Sequence, residues 1–190
     1  KILQEAVGEL RMGEFADGFK DENAVEDADG KAFVNDCTVE SDIELLLPPD
    51  YVPTDAERVA LYRELDAIER ETDLQNFRAK LEDRFGRLPS VAAELLRVPR
   101  LRRIARSLGI EKVVLKQGTM YIYFVDDSNV AYYQSDEFGK LIAYLQQNPQ
   151  RVAIRERSGR RSFAISNVDT IETAVALLTE IRGLESTKVY

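Results

Sequence analysis

The chain has 190 residues and a mass of 21.6 kDa, the size of one large domain or two small ones. Hydrophobic residues make up 44% of it and charged residues 32%, the balance of a soluble globular protein with a core of its own. There is no histidine and no tryptophan, and Cys37 is the one cysteine, so an internal disulfide, a Cys/His metal site and every histidine-based mechanism are excluded, the Ser-His-Asp triad included. The net charge of −8 opposes a general attraction to phosphate. Much of it sits between Glu14 and Asp29, where seven acids face Lys20 alone, and the rest of the chain is close to neutral. No apolar run approaches the 18 or so residues of a membrane span.

In chain order, residues 1–12 carry Ile2, Leu3, Ala6, Val7 and Leu10 on one helical stripe, with no signal-peptide pattern. A chain that begins inside such a helix is expected to be a piece of something longer. Residues 13–37 are acidic, spotted with Gly and Ala and poor in apolar side chains, which predicts a flexible linker. The lone Cys37 and the absent signal fit the cytoplasm. From Thr38 to Leu47 the odd positions Val39, Ile43, Leu45 and Leu47 alternate with Glu40, Asp42 and Glu44, a strand pattern that the prolines of Pro48-Pro49-Asp50-Tyr51-Val52-Pro53 must end in extended chain.

Three helices are predicted next. The first is capped by Thr54 or Asp55 and carries Leu61, Leu65 and Ile68. The second opens on the capping-box spacing Thr72 to Gln75, carries Leu74, Phe77, Leu81 and Phe85, and stops at a left-handed Gly86. The third starts at Ser90, is expected to kink or break at Pro99, and ends at Gly109. Beyond it a strand-strand-helix order occurs twice: Ile110–Lys116, turn Gln117-Gly118, Met120–Val125 and a helix over 136–147; then Val152–Arg157, turn Ser158-Gly159, Arg161–Ile165 and a helix from Asp169. The expected fold class is α+β, a helical subdomain (38–109, with its leading strand) followed by a mainly antiparallel sheet of four strands under two helices (110–190).

No phosphate-binding glycine loop occurs. The carboxylate pairs Asp126-Asp127 and Glu82-Asp83 read as solvated charge, and acidic neighbours disfavour a thiolate at Cys37. No catalytic, cofactor-binding or metal-ligating residue is therefore assigned. Two arginine groups, Arg97/Arg100/Arg102/Arg103/Arg106 and Arg151/Arg155/Arg157/Arg160/Arg161, carry the alternative of a nucleic-acid-binding module, against a plainer reading as surface charge at a helix C-terminus and a strand edge. Tyr121, Tyr123, Tyr132 and Tyr133 are of a type that could stack bases, but a half-buried sheet face is the expected place for them.

The runs Pro48-x-x-Tyr51-Val52-Pro53, Glu57-Arg58-Val59-x-Leu61-Tyr62-Arg63-x-Leu65, Leu81-x-Asp83-Arg84-Phe85-Gly86-x-Leu88-Pro89 and Leu101-Arg102-x-Ile104-Ala105-x-x-Leu108-Gly109-Ile110 resemble the C-terminal domain of the bacterial transcription-repair coupling factor. The opening residues 1–12 are similar to the helix that leaves that family's motor core. The resemblance implies a parent that is an ATP-dependent DNA translocase, contacting RNA polymerase, an excision-repair protein and DNA, with its ATPase motifs upstream. For this part it implies an autoinhibitory interaction domain in DNA repair, without enzymatic activity or cofactor, that docks on the parent's N-terminal repair-protein-binding domain. It also implies that the helix of Leu81 offers the docking face, through Lys80, Asp83 and Arg87. Asp83 keeps an acid there, Lys80 carries the opposite charge, and a local Asp83–Arg87 pair is the other use open to that carboxylate.

Overall fold

The structure is a computed structural model that describes residues 33–158 and 160–187; the expected opening helix and most of the expected linker lie outside them. From Phe33 onward the chain belongs to one compact unit. Its first residues already pack: Val34 and Cys37 are buried, and the Phe33 ring meets Tyr132 edge-on at 5.3 Å. The packed body therefore takes in residues 33–37, the last five positions of the expected linker.

Strand β1 (Thr38–Ser41) leads into helices α1 (Asp55–Asp66), α2 (Glu71–Phe85) and α3 (Ser90–Ser107). Then come β2 (Ile110–Lys116), β3 (Thr119–Phe124), a one-turn α4 (Val130–Tyr133), α5 (Asp136–Gln147), β4 (Val152–Arg157), β5 (Arg160–Ser166) and α6 (Ile171–Arg182). The class is α+β, as the sequence predicts. The sheet has five strands in the order β1-β2-β3-β5-β4, antiparallel except that β1 lies parallel to β2 with Val39 opposite Val113. Here the four-stranded expectation is corrected. A parallel neighbour needs a crossover, and the three helices are that crossover, so the helical segment is inserted between two strands of the sheet. The expected strand over 38–47 is correspondingly short: four residues pair with β2, and the chain past Ser41 leaves the ladder.

Both hairpins form. Gln117 and Gly118 have φ of +51° and +69°, the two positive values that a type I′ turn needs to match the strand twist. α5 and α6 are capped by side chains, Ser135 Oγ accepting from Phe138 N (3.3 Å) and Thr170 Oγ1 from Thr173 N (3.0 Å). By contrast, α2 starts one residue ahead of the predicted capping box, with Arg70 at the cap and Thr72 already helical. No side chain caps this helix; instead Glu71, in its first turn, is gripped by Arg100 and Arg103 of α3, which ties the helix start to its neighbour.

The core lies between one sheet face and three helices: Val113, Leu115, Met120, Ile122, Phe124, Phe163 and Ile165 of the strands meet Leu101 and Ile104 of α3 with Leu108 just past it, Leu141 and Tyr144 of α5, and Ala174, Leu178 and Ile181 of α6. α3 runs unbroken through Pro99, which is itself buried. The proline removes one helical bond, but Leu95, Leu96, Leu101 and Ile104 are buried on both sides of it and hold the helix in line. On α2, Leu74, Phe77 and Leu81 are buried as predicted, whereas Phe85 is only half-buried because it lies in the last turn, beside the Tyr51 ring at 5.6 Å.

Two residues past the end of α3, Gly109 turns the chain with φ +69°, and a side chain there would overlap the Tyr132 ring, whose hydroxyl donates to Leu108 O at 3.0 Å. Gly109→Ala combines a strained backbone with an overpacked core, and its cost should fall at about 1–3 kcal/mol or above. Thermal unfolding of the variant will read this as a clear loss of melting temperature.

Candidate functional site

The sequence blocks that carry the family resemblance converge on one structure. Tyr51, in the proline-bounded loop, is buried and places its hydroxyl 3.1 Å from Leu81 O and 2.9 Å from Gly86 O. Its one proton is shared between a last-turn carbonyl of α2 and the carbonyl of the glycine just past the helix, which ties the loop to the helix end. Gly86 has φ +85° and ψ −163°. The positive φ agrees with the expected glycine stop, but ψ is far from the left-handed helical value and falls in a region open almost only to glycine. Arg58 pins the loop from the other side, donating to Val52 O at 2.6 Å and Pro53 O at 3.2 Å and pairing with Asp55, while Leu47 N donates to Tyr62 Oη at 2.8 Å. Tyr51, Arg58, Tyr62 and Gly86 are a latch that sets the proline loop and α1 against the end of α2. Burial raises the pKa of Tyr51, with Glu82 adding to it, so the hydroxyl stays a donor.

This latch fixes the exposed side of α2. Lys80 Nζ pairs with Glu64 of α1 at 2.7 Å, Arg84 pairs with Glu57 at 2.5 Å and lies over the Phe85 ring, and Arg78 pairs with Glu82 at 3.2 Å. Asp83 stands exposed among them and makes no ion pair or side-chain hydrogen bond with any described residue, Arg87 included. The structure thus keeps Lys80 and Asp83 on one helix. Arg87, expected on the same side one turn on, lies beyond the Gly86 turn instead, because α2 ends at Phe85.

The first arginine group is committed internally. Arg97 bridges Glu94 (2.9 Å) and Glu172 (3.3 Å); Arg100 and Arg103 share Glu71; Arg102 spans Asp36 (3.2 Å) and Asp66 (2.7 Å); Arg106 reaches Glu69 (3.4 Å). Burial works against the charge on Arg102, yet Asp36 and Asp66 outweigh it and its pKa rises. These arginines are ties from α3 to neighbouring elements, in place of solvated charge or a phosphate-binding row. In the other group Arg151 is equally tied, to Ser166 O, Asn167 O and Tyr144 Oη. Arg160 reaches Glu111 (3.5 Å) and Arg161 reaches Asp127 (4.0 Å).

The remaining candidates are placed plainly. Asp126 accepts Ser128 N at 2.9 Å in an exposed turn, and bonding to Ser128 lowers its pKa. Cys37 is fully buried, and burial followed by the neighbouring Asp36 carboxylate pushes its thiol up to about 12. The acidic neighbour was legible in the sequence; the burial, which is the larger cause, was not. Sequence reading also missed Glu94, whose carboxylate accepts Ile171 N at 2.6 Å and so closes the first turn of α6 from another helix.

The TRCF domain family matches residues 41–135, which hold the latch, all of α1 to α3 and the first hairpin. The chain is similar to the transcription-repair-coupling factor of Escherichia coli K12, 31% identical over 150 residues that cover 79% of this chain and 12% of that protein. It is also similar to that of Mycobacterium bovis, 36% over 78 residues (41% and 6%), and that of Haemophilus influenzae, 33% over 107 residues (54% and 9%). The chain thus spans about an eighth or less of the length of these relatives. In three dimensions it is similar to a solved C-terminal domain of transcription-repair coupling factor, with a TM-score of 0.60 at 19% identity, covering 77% of this chain and 93% of that one.

Two measurements check this geometry. Tyr51→Phe removes the donor shared by Leu81 O and Gly86 O, so denaturant unfolding should show a loss of about 1–3 kcal/mol with little change of slope. Cys37 should resist iodoacetamide at pH 8.5 in the folded protein and react readily in denaturant, since its thiolate is suppressed and its sulfur enclosed.

Proposed function

The chain belongs to the transcription-repair coupling factor family, within its C-terminal domain, and we propose that it is a non-catalytic regulatory domain that docks on the N-terminal repair-protein-binding domain of its own parent. In that reading the parent is a cytoplasmic ATP-dependent DNA translocase that meets RNA polymerase, DNA and an excision-repair protein, and this domain masks the repair-protein surface and restrains the motor until polymerase is engaged. It needs no cofactor for that role.

The observation behind the reading is the state of α2. Lys80, Arg78, Glu82 and Arg84 are all held by partners within the domain, and Asp83 alone among the charges of that stretch points out uncommitted. The latch at Tyr51 and Gly86 holds the end of α2 against the proline loop, so Asp83 is presented from a rigid frame and little ordering entropy is lost on docking. An uncommitted carboxylate fits a basic partner surface, with Lys80 neutralised by Glu64 and so withdrawn from opposing it.

Asp83→Arg tests this. The melting temperature of the chain should hardly move, since exposed substitutions stay within about 0.5 kcal/mol. Calorimetric titration of the separate N-terminal domain at low salt should show binding to the parent sequence that the variant weakens at least about tenfold. In the full-length protein the same change should raise basal ATPase and affinity for the excision-repair protein. Unchanged masking, or an unfolded chain, would assign Asp83 to the fold and move the docking face elsewhere.

A further inference from the structure

All the helices that build the core lie on one side of the sheet. The other side has a composition of its own. The register places Lys112, Tyr123, Ser162 and Arg155 in one row across β2, β3, β5 and β4, and Val114, Tyr121, Ala164 and Ala153 in the next. None of these residues belongs to the core cluster, and Tyr121, Tyr123 and Val114 are half-buried, as side chains lying on an open sheet are. The two tyrosines occupy neighbouring outward positions of the middle strand, about 7 Å apart along it. Ser162, Ala164 and Ala153 beside them are too small to rise around the rings. Neither tyrosine hydroxyl has a partner among the described residues.

Cations frame this surface. Arg155 sets its guanidinium 5.5 Å from the centre of the Tyr121 ring, and Arg155, Arg157 and Lys116 have no acidic partner among the described residues. On the same face Glu40 is neutralised by Lys112 at 2.8 Å. Arg155, Arg157 and Lys116 thus stand uncompensated around a flat aromatic step, while the acids on this face, Glu40 and Asp42, lie at its β1 side, tied to Lys112 and to Gln117 N.

We propose that this face is a stacking platform for single-stranded nucleic acid. Bases stack on Tyr121 and Tyr123, and the backbone phosphates run past Arg155 and Arg157 on one side and Lys116 on the other. A guanidinium on an aromatic face already mimics the contact that a base would make there. Duplex fits poorly, because its base faces are hidden and a flat sheet cannot enter a groove as a helix does. A peptide strand would add at the β4 edge by backbone bonds and would not use the tyrosines. The proposal is independent of docking through α2, and its failure leaves that reading intact.

The test is fluorescence anisotropy of a labelled thymine oligonucleotide of about ten residues, set against a hairpin duplex of similar length, with the whole chain at low salt. The expected result is single-strand binding in the micromolar range that outcompetes the duplex. Tyr121→Ala and Tyr123→Ala should each weaken it about tenfold, and a tyrosine-to-phenylalanine change at either position should leave it nearly unchanged. Arg155→Ser with Lys116→Ser, both at exposed positions, should weaken binding and flatten its dependence on salt. If the alanine variants fail to fold, this pair decides on its own. Absence of binding at about 100 μM chain overturns the proposal. So does equal affinity for duplex, or binding that survives loss of the rings or of the two cations; a peptide as the true occupant would appear as the first of these.

Discussion

Helix α3 has to satisfy two neighbours at once, and the rest of the domain is arranged around that demand. Leu101, Ile104, Ala105 and Leu108 belong to the core under the sheet, while Arg100, Arg102, Arg103 and Arg106 reach Glu71, Asp66 and Glu69 around the α1–α2 connection. Its first half adds Glu94, which closes the N-terminus of α6, and Arg97, which bridges that acid to Glu172. A carboxylate on the exposed amides of a helix start is favoured by the helix dipole and satisfies donors that lack an internal partner. The helical crossover and the sheet are thus joined through one element, by apolar packing along one side and charged ties along the other. Such ties are individually weak when exposed, but they are shared and mutually oriented here, and half-buried Arg102 with two acids is not a pair that can be opened cheaply.

That dual role explains what could be read from the residues and what could not. The buried stripe Leu74, Phe77, Leu81 is a local periodicity, and the Gln117-Gly118 turn is a local conformational demand, so both were visible. Thr38–Ser41 was legible as a strand, but its parallel partner lies beyond the whole crossover, a pairing set by three helices folding back and by no short-range pattern. The capping-box spacing at Thr72 was overridden because Glu71 finds two arginines nearly thirty residues or more away. The arginines of α3 resemble free surface charge in the sequence for the same reason: their acids are distant along the chain. Those of the β4–β5 hairpin have no interleaved aromatics in sequence, yet β4 and β3, joined through β5, bring Arg155 over Tyr121.

The Pro48–Pro53 and Asp83–Pro89 blocks take their physical meaning from the Tyr51 hydroxyl. A tyrosine in a proline-stiffened loop and a glycine in a conformation that side chains resist are both costly choices for a chain left to itself. Together they tie down the end of α2, because the unusual ψ at Gly86 turns its carbonyl toward the Tyr51 hydroxyl that also lies within reach of Leu81 O. Asp83 lies between those two carbonyl positions in sequence and takes no part in the latch. The candidate residue and the residues that carry the resemblance are therefore neighbours with separate tasks, one presented and the others presenting.

The sheet divides in the same manner. Alternation along β3 sends Met120, Ile122 and Phe124 into the core and Thr119, Tyr121 and Tyr123 to the other side, so a slip of one residue would exchange the two sets. The described helices that build the core cover the first set, since the end of the crossover and both strand-strand-helix units return on that side. An open antiparallel face normally carries mostly polar side chains. Here it holds two tyrosines, a valine and, beside the Lys112–Glu40 pair, Arg155, Arg157 and Lys116 without an acidic partner among the described residues. Aromatic rings on such a face are not demanded by the core, which is complete without them, nor by the hairpin turns, which Gln117 and Gly118 satisfy. Tyrosine suits a strand by its own propensity, and stacked bases are the further use that the proposal gives the two rings.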